Sequence, residues 1–398
     1  MKSESLLKAE ILCRGVNFLP EALEYAHEMK AKQQNLCYNA PQDYQNFRPQ
    51  ELAITGEDSY TTTVSCVSVS TKREPVTIDS QNGQLVARIG DAVQAGVSLA
   101  YVKEPDYYTK STSGGIRINT LVSACGQDEL NIVPWRGCGL TTSCSFCGVN
   151  AIANVTDKHS GFSAQELGRT SRSWIEQKSS YLANLYEAVS VALEDACYER
   201  HLHVIMVSGS LPKEGLDLQA EIYSEIAASL APLVQERSTE GIVAVITPPH
   251  SIDRLEQMMN SGIRVAVFNL EVALEPWRSK YCVGKTSLGR RFIEDRLEAA
   301  VPIFGHGNVW SNFVFGLEPT EGLLELCEEL SVRGIVPGAN VLHLDHGHRL
   351  DCGVPTLENI LWFYNRLSDI YRRHNLSPYY CQNALRTSLA WEAFDGRL

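Results

Sequence analysis

No run of 18 apolar residues occurs anywhere in the sequence, so it offers no helix able to cross a bilayer. Residues 1–30 also lack the apolar heart of a secretion signal, because the short stretch 11–13 is broken by Arg14. Basic charge is scarce: 35 Lys and Arg stand against 47 Asp and Glu, a net charge of −12. A nucleic-acid binder needs the opposite surplus to meet phosphates. Internal repeats and low-complexity linkers are absent. The 12 cysteines among 398 residues are too few for a disulfide scaffold, and a chain of this length buries a core without such staples. The expectation is a cytoplasmic chain with no membrane or nucleic-acid partner. In a reducing compartment, closely spaced cysteines are metal ligands or catalytic groups before they are disulfides.

What is present is ordinary globular composition, 44% hydrophobic and 21% charged, at a length for two domains or one large α/β domain with an extension. Residues 60–70 are polar and β-leaning, and the stretches 76–78 and 85–89 flank a tight-turn signal at Asn82-Gly83. Residues 1–125 therefore read as a small mixed or β-rich N-terminal accessory domain. Beyond them, apolar runs at 131–134, 202–207, 242–246, 263–268, 312–315 and 341–344 read as strands. They alternate with helical stretches at 163–196, 218–236, 252–260, 290–304, 320–333 and 357–374. Near-continuous apolar strands separated by helices indicate a parallel sheet. Six such units fit an α/β fold of the partial or full (β/α) barrel type better than a flat doubly wound sheet. The barrel core is expected over 126–350 and a C-terminal helical extension over 351–398. In such barrels the chemistry sits at the C-terminal ends of the strands.

Just after the first of these strands comes RGCGLTTSCSFCGVN, where Cys138, Cys144 and Cys147 form C-x5-C-x2-C on a glycine-bearing loop. Three thiolates this close can converge on one soft centre, zinc or an iron–sulfur cluster. A structural zinc site wants a fourth ligand nearby; the next Cys or His is His159, and no second C-x2-C follows. Three ligands without a fourth suit a [4Fe–4S] cluster with one open iron, able to bind a substrate or cofactor directly. Three buried thiols with no metal are the competing reading, weakened by their place at the catalytic end of a strand.

Here the sequence resembles the radical S-adenosylmethionine (SAM) superfamily. Cys144-Ser145-Phe146-Cys147 matches its C-x-aromatic-C ending, while the first gap is two residues longer than in its commonest pattern, C-x3-C-x2-C. The resemblance spans about residues 128–350. It implies that the three cysteines hold a [4Fe–4S] cluster whose open iron chelates the amino and carboxylate groups of SAM. One electron, from a donor such as flavodoxin or ferredoxin, then cleaves SAM to methionine and a 5′-deoxyadenosyl radical that abstracts hydrogen from the substrate. Ser208, Gly209 and Ser210 occupy the place of the segment whose carbonyls hold the SAM ammonium, glycine permitting close approach. Asn269 and Glu271, on an apolar strand with Leu270 turned outward, stand where the family makes polar contacts to SAM; a buried Glu there needs a ligand or a basic partner. The basic segment holding Arg278, Lys280 and Lys285 leads into GRRFIEDRLEAA, and the resemblance implies an arginine there gripping the SAM carboxylate. Arg290 is the candidate, with Arg291 and Arg296 as competitors. Ser311 and Asn312 open the fifth strand as further SAM contacts, and Gly316 in GLEP resembles the segment closing over adenine.

The last strand, ANVLHLDHGHRLDCG, is dense in polar groups: His343, Asp345, His346 and His348, with His343 and Asp345 on one face. These read as a second metal site, as substrate-facing proton donors, or as surface histidines. Cys282 in KYCVGK and Cys381 in the tail are candidates for a substrate contact or hydrogen-atom donor. Cys13, Cys37, Cys66, Cys125, Cys197, Cys327 and Cys352 read as packing thiols. The composite reading is a radical SAM enzyme with a small-molecule substrate. Two rivals stay open: a zinc-dependent (β/α)-barrel hydrolase or lyase built on the histidine-rich last strand, and a non-catalytic iron–sulfur sensor.

Overall fold

The computed structural model describes residues 1–33, 48–69, 73–140, 142–153, 161–195, 202–235, 237–238, 241–344, 347–379 and 381–398. Among them, the N-terminal part carries strands β1 (Val16–Phe18), β2 (Glu51–Gly56), β3 (Thr61–Ser65), β4 (Val76–Gln81), β5 (Gln84–Ile89), β6 (Ala92–Val93) and β7 (Val97–Tyr101). They form two small sheets, ordered β1-β4-β5-β6 and β3-β2-β7. The expected hairpin is β4–β5: Asn82 and Gly83 take φ of 53° and 73°, the paired left-handed turn that matches the twist of the strands.

A larger sheet follows, built from β8 (Val122–Cys125), β9 (Glu129–Ile132), β10 (His203–Val207), β11 (Ile242–Val245), β12 (Ile263–Val267), β13 (Val309–Phe315) and β14 (Ile335–Val341). Its order is β14-β13-β12-β11-β10-β9-β8. From β9 to β14 the pairing is parallel, and β8 closes the edge as the antiparallel half of a hairpin. A doubly wound sheet reverses its order at a switch point; here the parallel strands run consecutively. Right-handed crossovers then send the connecting helices to one face. No pairing joins β14 to β8 among the described residues, so the fold is mixed α/β with an open sheet around a parallel core. Nor is any helix among them long and apolar enough to cross a membrane.

Two expected elements shift. The stretch 163–196 divides into helices Ala164–Arg169 and Arg172–Leu193, the first capped by the Ser163 hydroxyl accepting from Glu166 N. The last strand is not 341–344 but β14, which contains Pro337 and Gly338. Proline lacks the ladder N–H and signals against a strand, yet β14 is the edge, where a missing donor costs no pairing.

One apolar cluster runs from Leu7 through the large sheet to Ala393. The C-terminal segment bridges its parts: Ser65 N donates to Arg386 O at 3.0 Å and Val341 N to Thr387 O at 2.8 Å. Buried ion pairs fix the same seam. Lys8 and Glu392, each 1% exposed in their side chains, meet at 2.8 Å. Glu51 lies fully buried between Lys32, at 2.8 Å, and Arg386. Burial alone would raise the Glu51 carboxyl, but those two cations outweigh it and hold it low. Removing one member of such a network strands the others without a partner. Glu51→Gln is expected to cost about 3–5 kcal/mol, read as a lower urea midpoint; an unchanged midpoint would contradict the burial described.

Candidate functional site

Chain leaving β9 passes Trp135 and enters the cysteine loop, which lies across the C-terminal ends of the parallel strands. Trp135 Nε1 donates to Gly209 O at 2.7 Å, and Gly139 N donates to Ser210 O at 2.7 Å. From the segment beyond β12, Tyr281 O accepts from Ser145 N at 2.7 Å; from beyond β14, Arg349 N donates to Ser145 O at 2.6 Å. Inside the loop, the Asn150 side chain accepts from Cys138 N and donates to Ser143 Oγ, both at 2.7 Å. Two glycines make the docking possible. A Cβ on Gly209 would stand 2.3 Å from Gly137 O and 2.8 Å from Cys138 Cα. One on Gly284 would stand 2.3 Å from Thr142 O. Neither obstacle is a side chain that could swing away.

Backbone N–H groups work to lower all three thiols: those of Leu140 and Ser210 act on Cys138, Gly284 on Cys144, and Val149 on Cys147. Burial nevertheless raises the Cys138 thiol, and raises Cys147 to about 12. Cys144 goes the other way. A hydrogen bond from the Cys282 thiol and the nearby Lys285 ammonium hold it below the ordinary thiol range, against its own burial. Among the described residues, no three His, Cys, Asp or Glu side chains gather as they would on a single metal ion.

Glu271 does not sit on a strand, since β12 ends at Val267. It occupies a tight turn beyond it, with φ of +67° and a Val272 N to Leu270 O hydrogen bond of 2.8 Å. A left-handed non-glycine residue of this kind costs roughly 1–3 kcal/mol and persists only where its surroundings over-determine it. They do. Glu271 N donates to Asn312 O, and Glu271 O accepts from Val314 N. Buried Arg278 donates to Leu270 O and to Val272 O on either side of the turn. Glu318 accepts from Ala273 N and Leu274 N. Above the turn, Lys285 Nζ bridges Glu271 Oε1 at 2.7 Å and Asn269 O at 2.9 Å. Burial works to lower Lys285, yet Glu271 and Cys144 keep its ammonium raised.

Cys138, Cys144, Cys147, Ser208, Gly209, Ser210, Asn269, Glu271 and Cys282 are thus brought to one end of the sheet. Several of them serve the backbone. Asn269 Oδ1 accepts from Asn312 N at 3.1 Å; Ser311, wholly buried, accepts from Leu270 N at 3.0 Å. Leu270 is buried. Arg290 donates to Ala273 O at 2.6 Å and pairs with Glu294 at 2.7 Å, so its guanidinium braces the same turn. Gly316, at φ +113°, meets Pro355. His343 lies two residues past β14, and so is not on a strand face; Asp345 and His346 fall outside the described residues, as do Cys37 and Cys197.

Cys381 is corrected outright. Its sulfur contacts His203 Nδ1 and Asp128 O, at the N-terminal ends of β9 and β10. At 3.3 Å per residue, β10 alone puts roughly 13 Å between that end and the cysteine loop. The tail carries Cys381 there because it packs on the β8–β9 turn, where Asn383 N donates to Asp128 Oδ2 at 2.8 Å. Sequence reasoning passed over Asn150, Lys285 as the partner of Glu271, and the turn-holding pair Arg278 and Glu318. Only Asn150 carried a local signal, an amide three residues beyond the last cysteine of the loop.

No family model matches the chain, and no curated protein matches it. Among the solved structures to which the chain is similar are two hydrogenase maturases. One is the crystal structure of HydG, a maturase of the [FeFe]-hydrogenase, at 12% identity over 65% of this chain and 51% of that one, with a TM-score of 0.34. The other is the FeFe-hydrogenase maturase HydG from Carboxydothermus hydrogenoformans, at 14% identity over 65% of this chain and 57% of that one, with a TM-score of 0.36. The chain thus aligns with little more than half the length of either.

Two outcomes follow from the site. Gly284→Ala drives a methyl into the Thr142 carbonyl and should lower the thermal midpoint, at an overpacking cost of about 1–3 kcal/mol. Gly353→Ala, which meets nothing within 4 Å, should leave the midpoint unchanged; equal midpoints for both variants would contradict the close approach. In metal-free protein, iodoacetamide should alkylate Cys144 with a pH midpoint below the ordinary thiol value of about 8.5, reactivity appearing as pH rises through it. Peptide mass spectrometry should find Cys147 unmodified under the same conditions.

Proposed function

We propose that the chain is a radical SAM enzyme, with Cys138, Cys144 and Cys147 holding a [4Fe–4S] cluster and a small molecule as substrate. One observation carries this reading: three thiols on a single loop, docked against Gly209, Ser210 and Gly284 at the C-terminal ends of consecutive parallel strands. The donor set fits the group. Around one zinc ion three sulfurs must close to bonds of about 2.3 Å on a shared centre. In a cluster each thiolate takes its own iron, so the sulfurs stand apart, and hydrogen bonds to them are part of how such sites are tuned. Gly209 and Gly284 keep side chains out of the ground beside Cys138 and Cys144.

When bound, the cluster and SAM supply a one-electron cleavage that yields methionine and a 5′-deoxyadenosyl radical able to take hydrogen from a substrate. The chain's own residues hold and orient. Glu271, fixed by its turn and by Lys285, offers a carboxylate beside the cysteine loop for a hydroxyl or ammonium group of SAM. Ser208, Gly209 and Ser210 present backbone within reach of the same ground, and Asn312 lines its far side. Arg290 and Ser311 act one step back, by holding the turn. His343 and Cys282 remain the substrate-side candidates. The consecutive order of β9–β14 supports a partial (β/α) barrel over 126–350, with residues 1–125 as a lid or substrate-recognition part and 351–398 as a helical extension. A cytoplasmic setting, with flavodoxin or ferredoxin as electron donor, belongs to the same proposal.

Anaerobic reconstitution with iron and sulfide, followed by SAM and dithionite, tests the reading. The wild type should show the visible band of the cluster and release 5′-deoxyadenosine; Cys144→Ala should lose both. An intact cluster that makes no 5′-deoxyadenosine would point instead to an iron–sulfur sensor. Colourless protein retaining zinc after reconstitution would overturn the proposal.

A further inference from the structure

Register divides the parallel sheet into two faces of different chemistry. One carries Phe313 and Phe315 and packs on the helix Leu357–Arg373, where the Phe315 and Phe363 rings stack at 4.2 Å. The other carries Asn312 and Val314, which pair in register with Gly338 and Asn340 of β14. On β9 to β12 the residues of this second face are apolar, apart from Asn131 and the Glu129–His203 pair at the N-terminal ends. Helices cover the first face, so Phe313, Phe315 and Ala339 are buried, whereas Asn312, Val314 and Asn340 are only half-buried.

Two amides on the open face are laid out for a ligand. Asn312 lies flat across β14: a Cβ on Gly338 would stand 2.0 Å from Asn312 Oδ1, and its three nearest obstacles are all atoms of Asn312. Asn340 Oδ1 accepts from the Thr387 hydroxyl at 2.8 Å, and Thr387 is tied to the strand by Val341 N donating to its carbonyl. Asn340 Nδ2 and both polar atoms of the Asn312 side chain have no hydrogen-bond partner among the described residues. In this they differ from Asn269, Ser311 and Arg290, whose side chains hold backbone. The pair also stands beside the cysteine loop. Val314, in register with Asn340, packs on the same small apolar cluster as Cys144, and its N donates to Glu271 O at 2.9 Å.

Resting on the radical SAM reading, we propose that Asn312 and Asn340 recognise the substrate, and that the group they hold is uncharged and both donates and accepts hydrogen bonds: a carboxamide or an alcohol. An amide side chain offers N–H donors and a carbonyl acceptor, which a carboxamide matches with two atoms and a hydroxyl with one. A carboxylate or an ammonium would find no free opposite charge, because Glu271 and Lys285, at the end of this face, already neutralise each other.

Saturation-transfer NMR on the full chain tests this with four probes of similar shape: propionamide, 1-propanol, propionate and propylammonium. Wild type should bind propionamide or 1-propanol about tenfold or more tightly than either ion, and the stronger of the two identifies the group. Gly338→Ala, whose methyl meets only the movable end of Asn312, should keep the thermal midpoint and lose the preference. Asn312→Ala should lose it equally, and the double variant should do no worse than either single one. Asn340→Asp should turn the preference toward propylammonium. Equal binding of all probes, binding of none, or a preference untouched by Gly338→Ala would overturn the inference and leave the radical SAM reading standing. Binding as expected without release of 5′-deoxyadenosine from SAM would remove that reading and leave the amide pair as a ligand site.

Discussion

The contact on which the rest of the site depends is one of backbone on backbone. The cysteine loop lies against the segments that follow β10 and β12, and it can do so because Gly209 and Gly284 have no side chain. Their missing Cβ atoms would stand 2.3 Å from carbonyl oxygens of the loop itself. That approach sets Cys138 against Gly209 and the sulfur of Cys144 against Gly284. The site is therefore a property of the sheet's consecutive parallel order, which delivers the ends of β9, β10, β12 and β14 to one side.

A second constraint works with the first. Glu271 is held in a left-handed turn that an ordinary residue avoids, and the cost is offset by hydrogen bonds in which Arg278 and Lys285 donate and Glu318 and Asn312 accept. The carboxylate is thereby held with its cation, Lys285, already in place. Preorganisation of this sort explains why so many polar residues near the turn bind the protein's own backbone. They fix one functional group in place of touching a ligand themselves.

Much of this was legible in the sequence. Apolar runs and their spacing located β9 to β13 within a few residues, the Asn82-Gly83 turn was read correctly, and the helix Arg290–Phe304 appears at its expected bounds. The cysteine triplet was placed after the right strand. What escaped was set by long-range packing. Pro337 disguised β14 because an edge position cannot be seen from sequence alone. The roles of Arg278, Arg290, Ser311 and Glu318 depend on a turn whose geometry arises only when β12 and β13 pair. Cys381 was misplaced for a similar reason: chain order says nothing about which end of a strand a returning tail will meet, and here Asp128 and His203 draw it to the far one.

We propose that Cys138, Cys144 and Cys147 hold a cluster with one iron left open for SAM. Mössbauer spectroscopy of protein reconstituted with iron-57 examines it most directly. The expected spectrum has a [4Fe–4S] signature in which a single iron changes its parameters when SAM is added, while the irons bound through Cys138, Cys144 and Cys147 do not. A spectrum without a [4Fe–4S] component, or one indifferent to SAM, would contradict it.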